Sequence, residues 1–144
     1  MSEVLFVCVH NAGRSQVAEA FFNRLARERG LELRAESAGT EPAEWVHPEV
    51  AATMQEVGIE LWPKKPRSLT NALVRGAERV ITMGCAPDAT SCPAIVLKQV
   101  EDWELPDPHG EPLHRVREIR DEIRRRVEAL IDEIGRTETD AADG

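Results

Sequence analysis

The chain has 144 residues, a formal net charge of −8 and 42% hydrophobic residues, which is the size and composition of one globular domain. The charge excludes general attraction to nucleic acid or to an anionic membrane, and no apolar stretch is long enough to span a bilayer or form a signal-peptide core. We therefore expect a cytoplasmic protein, in which any anion site is built locally from backbone dipoles and a few cations.

Apolar runs and periodic apolar residues predict strands that alternate with helices along the chain. In chain order these elements are a strand over 4–9, a helix from Val17 to an end at Gly30, a strand over 31–38, a helix over 48–57, a helix over 68–75, a strand over 79–83, a strand over 96–100 and a long helix that ends at Gly135. This order predicts an α/β domain with a parallel sheet covered on both faces. We expect one domain over 1–136, followed by a small, acidic and disordered tail over 137–144.

The junction between the first strand and the first helix has the residue types of an oxyanion site. Ligands of parallel α/β sheets bind at the carboxyl ends of strands, and the following helix directs its free N–H groups at that loop. Asn11 and Gly13 can adopt backbone conformations closed to most residues, and Arg14 offers two parallel donors. Cys8 would lie beneath the anion, where the helix dipole and Arg14 favour a thiolate. The predicted loop consists of Cys8, Val9, His10, Asn11, Ala12, Gly13, Arg14 and Ser15.

The alternative interpretation of this segment is a buried core cysteine followed by a turn. We favour the anion loop because cysteine, arginine and serine at this spacing each have a use at a strand-to-helix junction. His10 has no assigned role of its own.

Two further cysteines lie in a second loop. An odd total of three argues against a purely structural set of disulfides. Cys85 and Cys92 follow the strand predicted over 79–83, and in a parallel sheet their loop emerges at the same edge as Cys8. Zinc binding and thiols without function are the alternatives. Two thiols at this spacing, with no nearby pair of histidines, make an unusual zinc half-site.

Asp107 precedes a proline in the loop before the long helix. A carboxyl beside a bound oxyanion is favoured in its protonated form by like charge, which suits proton donation to a leaving oxygen. Without the cysteine loop, a turn aspartate before proline would be the better interpretation.

Three segments together resemble the low-molecular-weight protein tyrosine phosphatase family, which includes the thioredoxin-coupled arsenate reductases. These segments are Cys8-x5-Arg14-Ser15, Glu36-Ser37-Ala38-Gly39-Thr40 and Asp107-Pro108. The resemblance implies a three-layer α/β sandwich around a four-stranded parallel sheet, with no cofactor. It implies that Cys8 is the nucleophile, that Arg14 binds the oxyanion and that Asp107 is the general acid.

The thioredoxin-coupled reductases carry their second and third cysteines with six residues between them, as Cys85 and Cys92 are here. The resemblance implies that Cys8 attacks arsenate, that Cys85 attacks the Cys8 sulfur to release arsenite, and that Cys92 then leaves a Cys85–Cys92 disulfide. Thioredoxin would reduce that disulfide. Phosphate and sulfate would compete with arsenate for the loop.

Other functions remain open at this point. One is a protein tyrosine phosphatase, although such enzymes usually wall their pocket with aromatic residues and this chain has no tyrosine. Others are a reductase coupled to mycothiol or glutaredoxin, and a non-enzymatic arsenate- or phosphate-binding module. Some family members bind potassium beside the loop, at positions matched here by Asn11, Glu19 and Ser37, but no acidic residue near Ser68 completes such a site. Gly13 stands where the first-characterised reductases have another cysteine.

Overall fold

A computed structural model describes residues 2–61, 64–84 and 100–143 of the chain. Strands and helices alternate as predicted, and the chain begins with a strand and ends with the longest helix. The elements are β1 (Ser2–Cys8), α1 (Arg14–Glu28), β2 (Ala35–Gly39), α2 (Pro48–Gln55), α3 (Asn71–Arg75), β3 (Ala77–Thr82), β4 (Val100–Asp102) and α4 (Leu113–Asp143).

The four strands form one parallel sheet in the order β2-β1-β3-β4. Cys8 is in register with Gly39 on one side, and Val7 is in register with Thr82 on the other. Because all four strands run in the same direction, their carboxyl ends lie at one edge of the sheet. The loops that follow Cys8, Gly39, Thr82 and Asp102 therefore emerge together, and the predicted parallel α/β sandwich is confirmed.

Helices cover both faces of the sheet, which explains the unbroken apolar run of β1. Val4 and Phe6 pack with the helices α1, α2 and α4, whereas Leu5 and Val7 face the opposite layer, where Val74 of α3 packs. All four β1 side chains are fully buried. Burying a side chain of this size stabilises the fold by about 1.5–3 kcal/mol, so β1 is strongly held in its register.

Three element boundaries differ from the predictions, and a capping contact explains one of them. The helix predicted over 68–75 begins at Asn71, because Thr70 is extended and its hydroxyl accepts the N–H of Leu73 at 3.1 Å. The strand predicted over 31–38 begins only at Ala35. The predicted strand over 96–100 overlaps β4 at Val100 alone, and residues 96–99 lie outside the described residues.

The predicted end of the long helix at Gly135 is wrong. Helix α4 continues through this glycine to Asp143, so the backbone of the segment predicted as a disordered tail is helical. Gly30 and Gly58, which follow the ends of their helices, have φ values of 69° and 79°, whereas Gly135 does not have a positive φ. A glycine in a helix costs only about 1 kcal/mol relative to alanine, which is too little to end a helix by itself. None of the described helices combines the length and the apolar character that crossing a bilayer requires.

Candidate active site

The loop between β1 and α1 turns its carbonyl groups outward. Four of its carbonyl oxygens accept N–H groups from the segment that follows β2. Thr40 N–H donates to Cys8 O at 3.3 Å, Glu41 to Val9 O at 2.8 Å, Ala43 to His10 O at 2.9 Å and His47 to Ala12 O at 2.9 Å. Since C=O and N–H of a trans peptide point in opposite directions, the next N–H in each case points to the inner side of the loop. These N–H groups therefore point away from the segment after β2, close to the N-terminus of α1, where an oxyanion could accept them.

Close packing of backbone against backbone makes this loop possible. A Cβ at Gly39 would lie 2.6 Å from Val9 O and 2.9 Å from Asn11 N, so only glycine allows β2 to approach so closely. Asn11 has a φ of 50°, as the sequence predicted. Gly13 has no positive φ, and its φ of −141° and ψ of −97° lie outside the helix and strand regions. Gly13 is instead suited to close contact, since a Cβ there would lie 3.1 Å from Pro108 Cγ.

The Cys8 sulfur lies at the end of a series of buried hydrogen bonds. Cys8 Sγ is 2.8 Å from Ser15 Oγ, and Asn11 Nδ2 donates to the same oxygen at 2.7 Å. The Asn11 amide has a single consistent orientation, because its Oδ1 accepts the backbone N–H of Arg67 at 2.9 Å and Gln16 Nε2 at 3.1 Å. Ser15 Oγ therefore accepts from Asn11, and its own proton is free to be donated to the sulfur. A hydrogen bond donated to the sulfur is the kind of contact that a cysteine nucleophile needs.

The Arg14 guanidinium is held along one side by two neighbouring loops. It is buried, and Nη1 donates to Leu105 O at 2.9 Å. Gly84, with a φ of 82°, lies against the same nitrogen, because a Cβ at this position would be 2.4 Å from Nη1. Among the described residues, Nε and Nη2 of Arg14 have no acceptor. These two donors can bind two oxygens of a tetrahedral anion.

The loop after β4 brings Asp107 to the rim of the anion loop. Leu105 contacts Arg14, and Pro108 contacts Gly13, so the residues on either side of Asp107 both reach the loop. Asp107 is exposed, and its Oδ1 accepts the N–H of His109 at 3.0 Å. Oδ2 has no hydrogen-bond partner among the described residues.

Cys85 and Cys92 lie outside the described residues. The described chain nevertheless reaches Gly84, whose N–H donates to Asp102 Oδ1 at 3.2 Å at the carboxyl edge of the sheet. Gly84 contacts the Arg14 guanidinium and is followed directly by Cys85 in the sequence.

Protein cations already occupy the surroundings of the candidate potassium ligands. The buried Glu19 carboxylate contacts the Lys64 ammonium and has Arg67 Nη2 at 3.8 Å. Asn11 Oδ1 accepts two N–H groups, and the Ser37 carbonyl accepts Arg67 Nε at 2.9 Å. Burial and the positive charge of Arg67 lower the pKa of Lys64 to about 8, whereas the contact with Glu19 favours its charged form. These residues fit an internal ion pair better than a potassium site.

Comparison with known proteins identifies the family. The model of the family described as low molecular weight phosphotyrosine protein phosphatase matches residues 3–140. The chain belongs to this family. Its four-stranded parallel sheet, with the cysteine loop at the carboxyl edge, agrees with that assignment.

Similar proteins within the family include arsenate reductases. A Halobacterium salinarum protein, whose name assigns it provisionally to arsenate reduction, is 42% identical over 130 residues, which cover 89% of this chain and 89% of that one. The thioredoxin-dependent arsenate reductase of Corynebacterium glutamicum has a solved structure that is 37% identical, with a TM-score of 0.75, and the match covers 95% of this chain and 63% of that one. The glutaredoxin arsenate reductase of Synechocystis sp. is 35% identical over 135 residues, which cover 93% of this chain and 99% of that one.

Some residues of this family site were not predicted as site residues. Leu105 binds Arg14 through its backbone carbonyl, and Arg67 binds Asn11 through its backbone N–H. Backbone groups are the same in every residue, so the side chains did not indicate these contacts. Gly84 offered a weak signal, as a glycine between a buried strand and a cysteine. The contact of Gln16 with Asn11 could not be predicted, because polar residues are common in the first turn of a helix. His10, predicted as part of the loop, is exposed, and its Nδ1 is 3.0 Å from Glu41 O.

Proposed function

We propose that this chain reduces arsenate to arsenite, with Cys8 as the nucleophile. The observation that carries the proposal is the 2.8 Å contact of the buried Cys8 sulfur with Ser15 Oγ, at the junction between β1 and α1 that also carries the buried Arg14. The arsenate reductases among the similar proteins support this choice of oxyanion. Phosphate and sulfate have the same shape and charge, so we expect both to compete for the loop.

In the first step, the Cys8 thiolate attacks arsenic and forms a sulfur–arsenic bond. An arsenate oxygen leaves as water, and Asp107 supplies a proton to it. The loop N–H groups and Arg14 hold the remaining oxygens and stabilise the charge that builds up on them. Applied to an aryl phosphate, the same step gives a weak phosphatase activity.

The reduction itself needs two electrons, which two thiols supply. The Cys85 thiolate attacks Cys8 Sγ, a sulfur–sulfur bond forms, and the electron pair of the sulfur–arsenic bond passes to arsenic, which leaves as arsenite. Cys92 then attacks the Cys85 sulfur and releases the Cys8 thiolate, leaving a Cys85–Cys92 disulfide. The place of Gly84 against Arg14 supports Cys85 as the first of the two to react, since Cys85 is the next residue in the chain.

We propose thioredoxin as the reductant, because an intramolecular disulfide calls for a dithiol that can attack it and then close on itself. The similarity to a thioredoxin-dependent reductase supports this, and the similarity to a glutaredoxin arsenate reductase supports the alternative. Coupling to mycothiol or glutaredoxin would need no Cys85–Cys92 pair.

The test is to count arsenite and thiols. Without any reductant, we expect one arsenite per chain and the loss of two of the three thiols. Thioredoxin with its reductase and NADPH should then sustain turnover, whereas glutathione with glutaredoxin should not. Release of phosphate from aryl phosphates without any arsenite from arsenate would make the chain a phosphatase. Turnover that requires glutathione would show that thioredoxin is not the reductant, while the proposal of arsenate reduction would stand.

The role of Asp107 can be tested with one substitution. We expect Asp107→Asn to slow attack on arsenate and on an aryl phosphate by on the order of a hundredfold or more, because the amide cannot donate the proton that a carboxylic acid donates. Glu104→Gln is the matched control, since Glu104 is an exposed carboxylate of the same loop and should leave both rates unchanged. Single-turnover kinetics of both variants over a range of pH measures the effect. Equal rates for the two variants would assign the proton to another group.

A further inference from the structure

A second cluster of ligand-type side chains lies beside the anion loop. His47 precedes α2, Glu49 lies in its first turn, and His109 follows Asp107 and Pro108 in the loop after β4. One ligand atom from each of the three lies within 4.8 Å of the others. The rings of His47 and His109 stack with centroids 3.9 Å apart, and His109 Nδ1 is 3.3 Å from Glu49 Oε1.

We propose that His47, Glu49 and His109 form a binding site for a divalent transition-metal ion of the zinc class. Two imidazoles and one carboxylate are a ligand set that zinc takes in proteins, with a fourth position left for water. Zinc bonds of about 2.1 Å place neighbouring ligand atoms roughly 3.4 Å apart in a tetrahedron. The pair His109 and Glu49 already has that separation, at 3.3 Å. The ligand atom of His47 lies within 4.8 Å of the other two, so the side chains must shift toward one another to share an ion.

The carboxylate of the cluster is already oriented by the backbone. Glu49 Oε1 accepts the N–H of Gly110 at 3.1 Å, so the loop that carries His109 also holds the carboxylate. Hydrogen bonds of this kind to ligand side chains strengthen metal sites. The ligands come from two segments distant in sequence, which is how a metal ties two parts of a fold together.

A metal at this position would act on the neighbouring active site through the chain. His109 is two residues from Asp107, and its N–H already binds Asp107 Oδ1. An ion that joins His109 to α2 would therefore hold the Asp107 loop in place against Gly13 and its loop. None of the three side chains binds or attacks the oxyanion in the proposed reaction, so zinc binding can be measured separately from turnover.

The experiment measures zinc binding to the untagged full chain by isothermal titration calorimetry. Because thiolates are zinc ligands in general, all measurements use a chain in which Cys8, Cys85 and Cys92 are serine. In this background we expect one zinc ion per chain. His109→Asn and Glu49→Gln should each weaken binding by at least about tenfold, no less than the usual loss on removing an outer partner of a metal ligand. His114→Asn is the matched control, because His114 is also exposed and lies outside the cluster.

Each result of the zinc titration either supports the proposed site or contradicts it. Loss of affinity in His109→Asn and in Glu49→Gln, with His114→Asn unchanged, supports the site. Both affected residues lie at the surface or near it, so their replacement leaves the core intact. The absence of zinc binding in the cysteine-free chain would overturn the proposal. Equal binding in all three variants would overturn it as well.

Discussion

Replacing Cys8 with serine is expected to abolish arsenate reduction and any hydrolysis of aryl phosphates. A loss on the order of a millionfold is typical when an enzyme loses its nucleophile. A serine hydroxyl is not ionised near neutral pH, and oxygen cannot supply the electrons that sulfur gives to arsenic. The substitution replaces only the sulfur. The serine oxygen at position 8 can still form a hydrogen bond with the Ser15 hydroxyl.

Binding should survive the loss of chemistry in Cys8→Ser. The N–H groups of the loop and Arg14 are unchanged, so the variant should still bind phosphate or arsenate, measured by calorimetry. Cys85→Ser is the control, because it keeps Cys8 and should still attack an aryl phosphate. Reductase activity of Cys8→Ser close to that of the unchanged chain would remove Cys8 from the reaction. Loss of anion binding would show that the substitution damages the loop itself.

Replacing Cys92 with serine is expected to stop the reaction after a single turnover. Cys85 can still attack Cys8 and release arsenite, but no third thiol is left to free the Cys8 sulfur. The stalled chain should contain a Cys8–Cys85 disulfide. The unchanged chain, treated with arsenate and no reductant, should instead accumulate Cys85–Cys92.

Peptide mapping by mass spectrometry decides the order of the cysteines. The assignment of Cys85 as the first to react rests on Gly84, whose backbone lies against the Arg14 guanidinium. Cys85→Ser should therefore release little arsenite unless a small thiol takes over the attack. Finding Cys8 joined to Cys92 when the unchanged chain reacts would reverse the order. Finding Cys8 joined only to an added small thiol would favour coupling to mycothiol or glutaredoxin.

The first strand and the loop after it could be predicted because local sequence decides them. Residues 4–8 form an apolar run with no polar interruption, which favours an interior strand covered on both faces of the sheet. Cysteine, arginine and serine then follow at a junction where the helix N-terminus attracts an anion whatever the rest of the chain does. The end of α4 could not be predicted, because the cost of Gly135 in a helix is small beside the stability that packing of the preceding turns provides.

By itself, the sequence determined the alternation of strands and helices and placed Cys8 and Arg14 at the two ends of one loop after β1, because periodicity and spacing are local properties. Only the tertiary structure decided which backbone groups complete the site. The carbonyl of Leu105, the N–H of Arg67 and the backbone of Gly84 come from three loops distant in sequence, and they meet at the anion loop because the parallel strands end at one edge. A backbone group has the same chemistry in every residue, so its role depends on position in space and leaves no mark in the sequence.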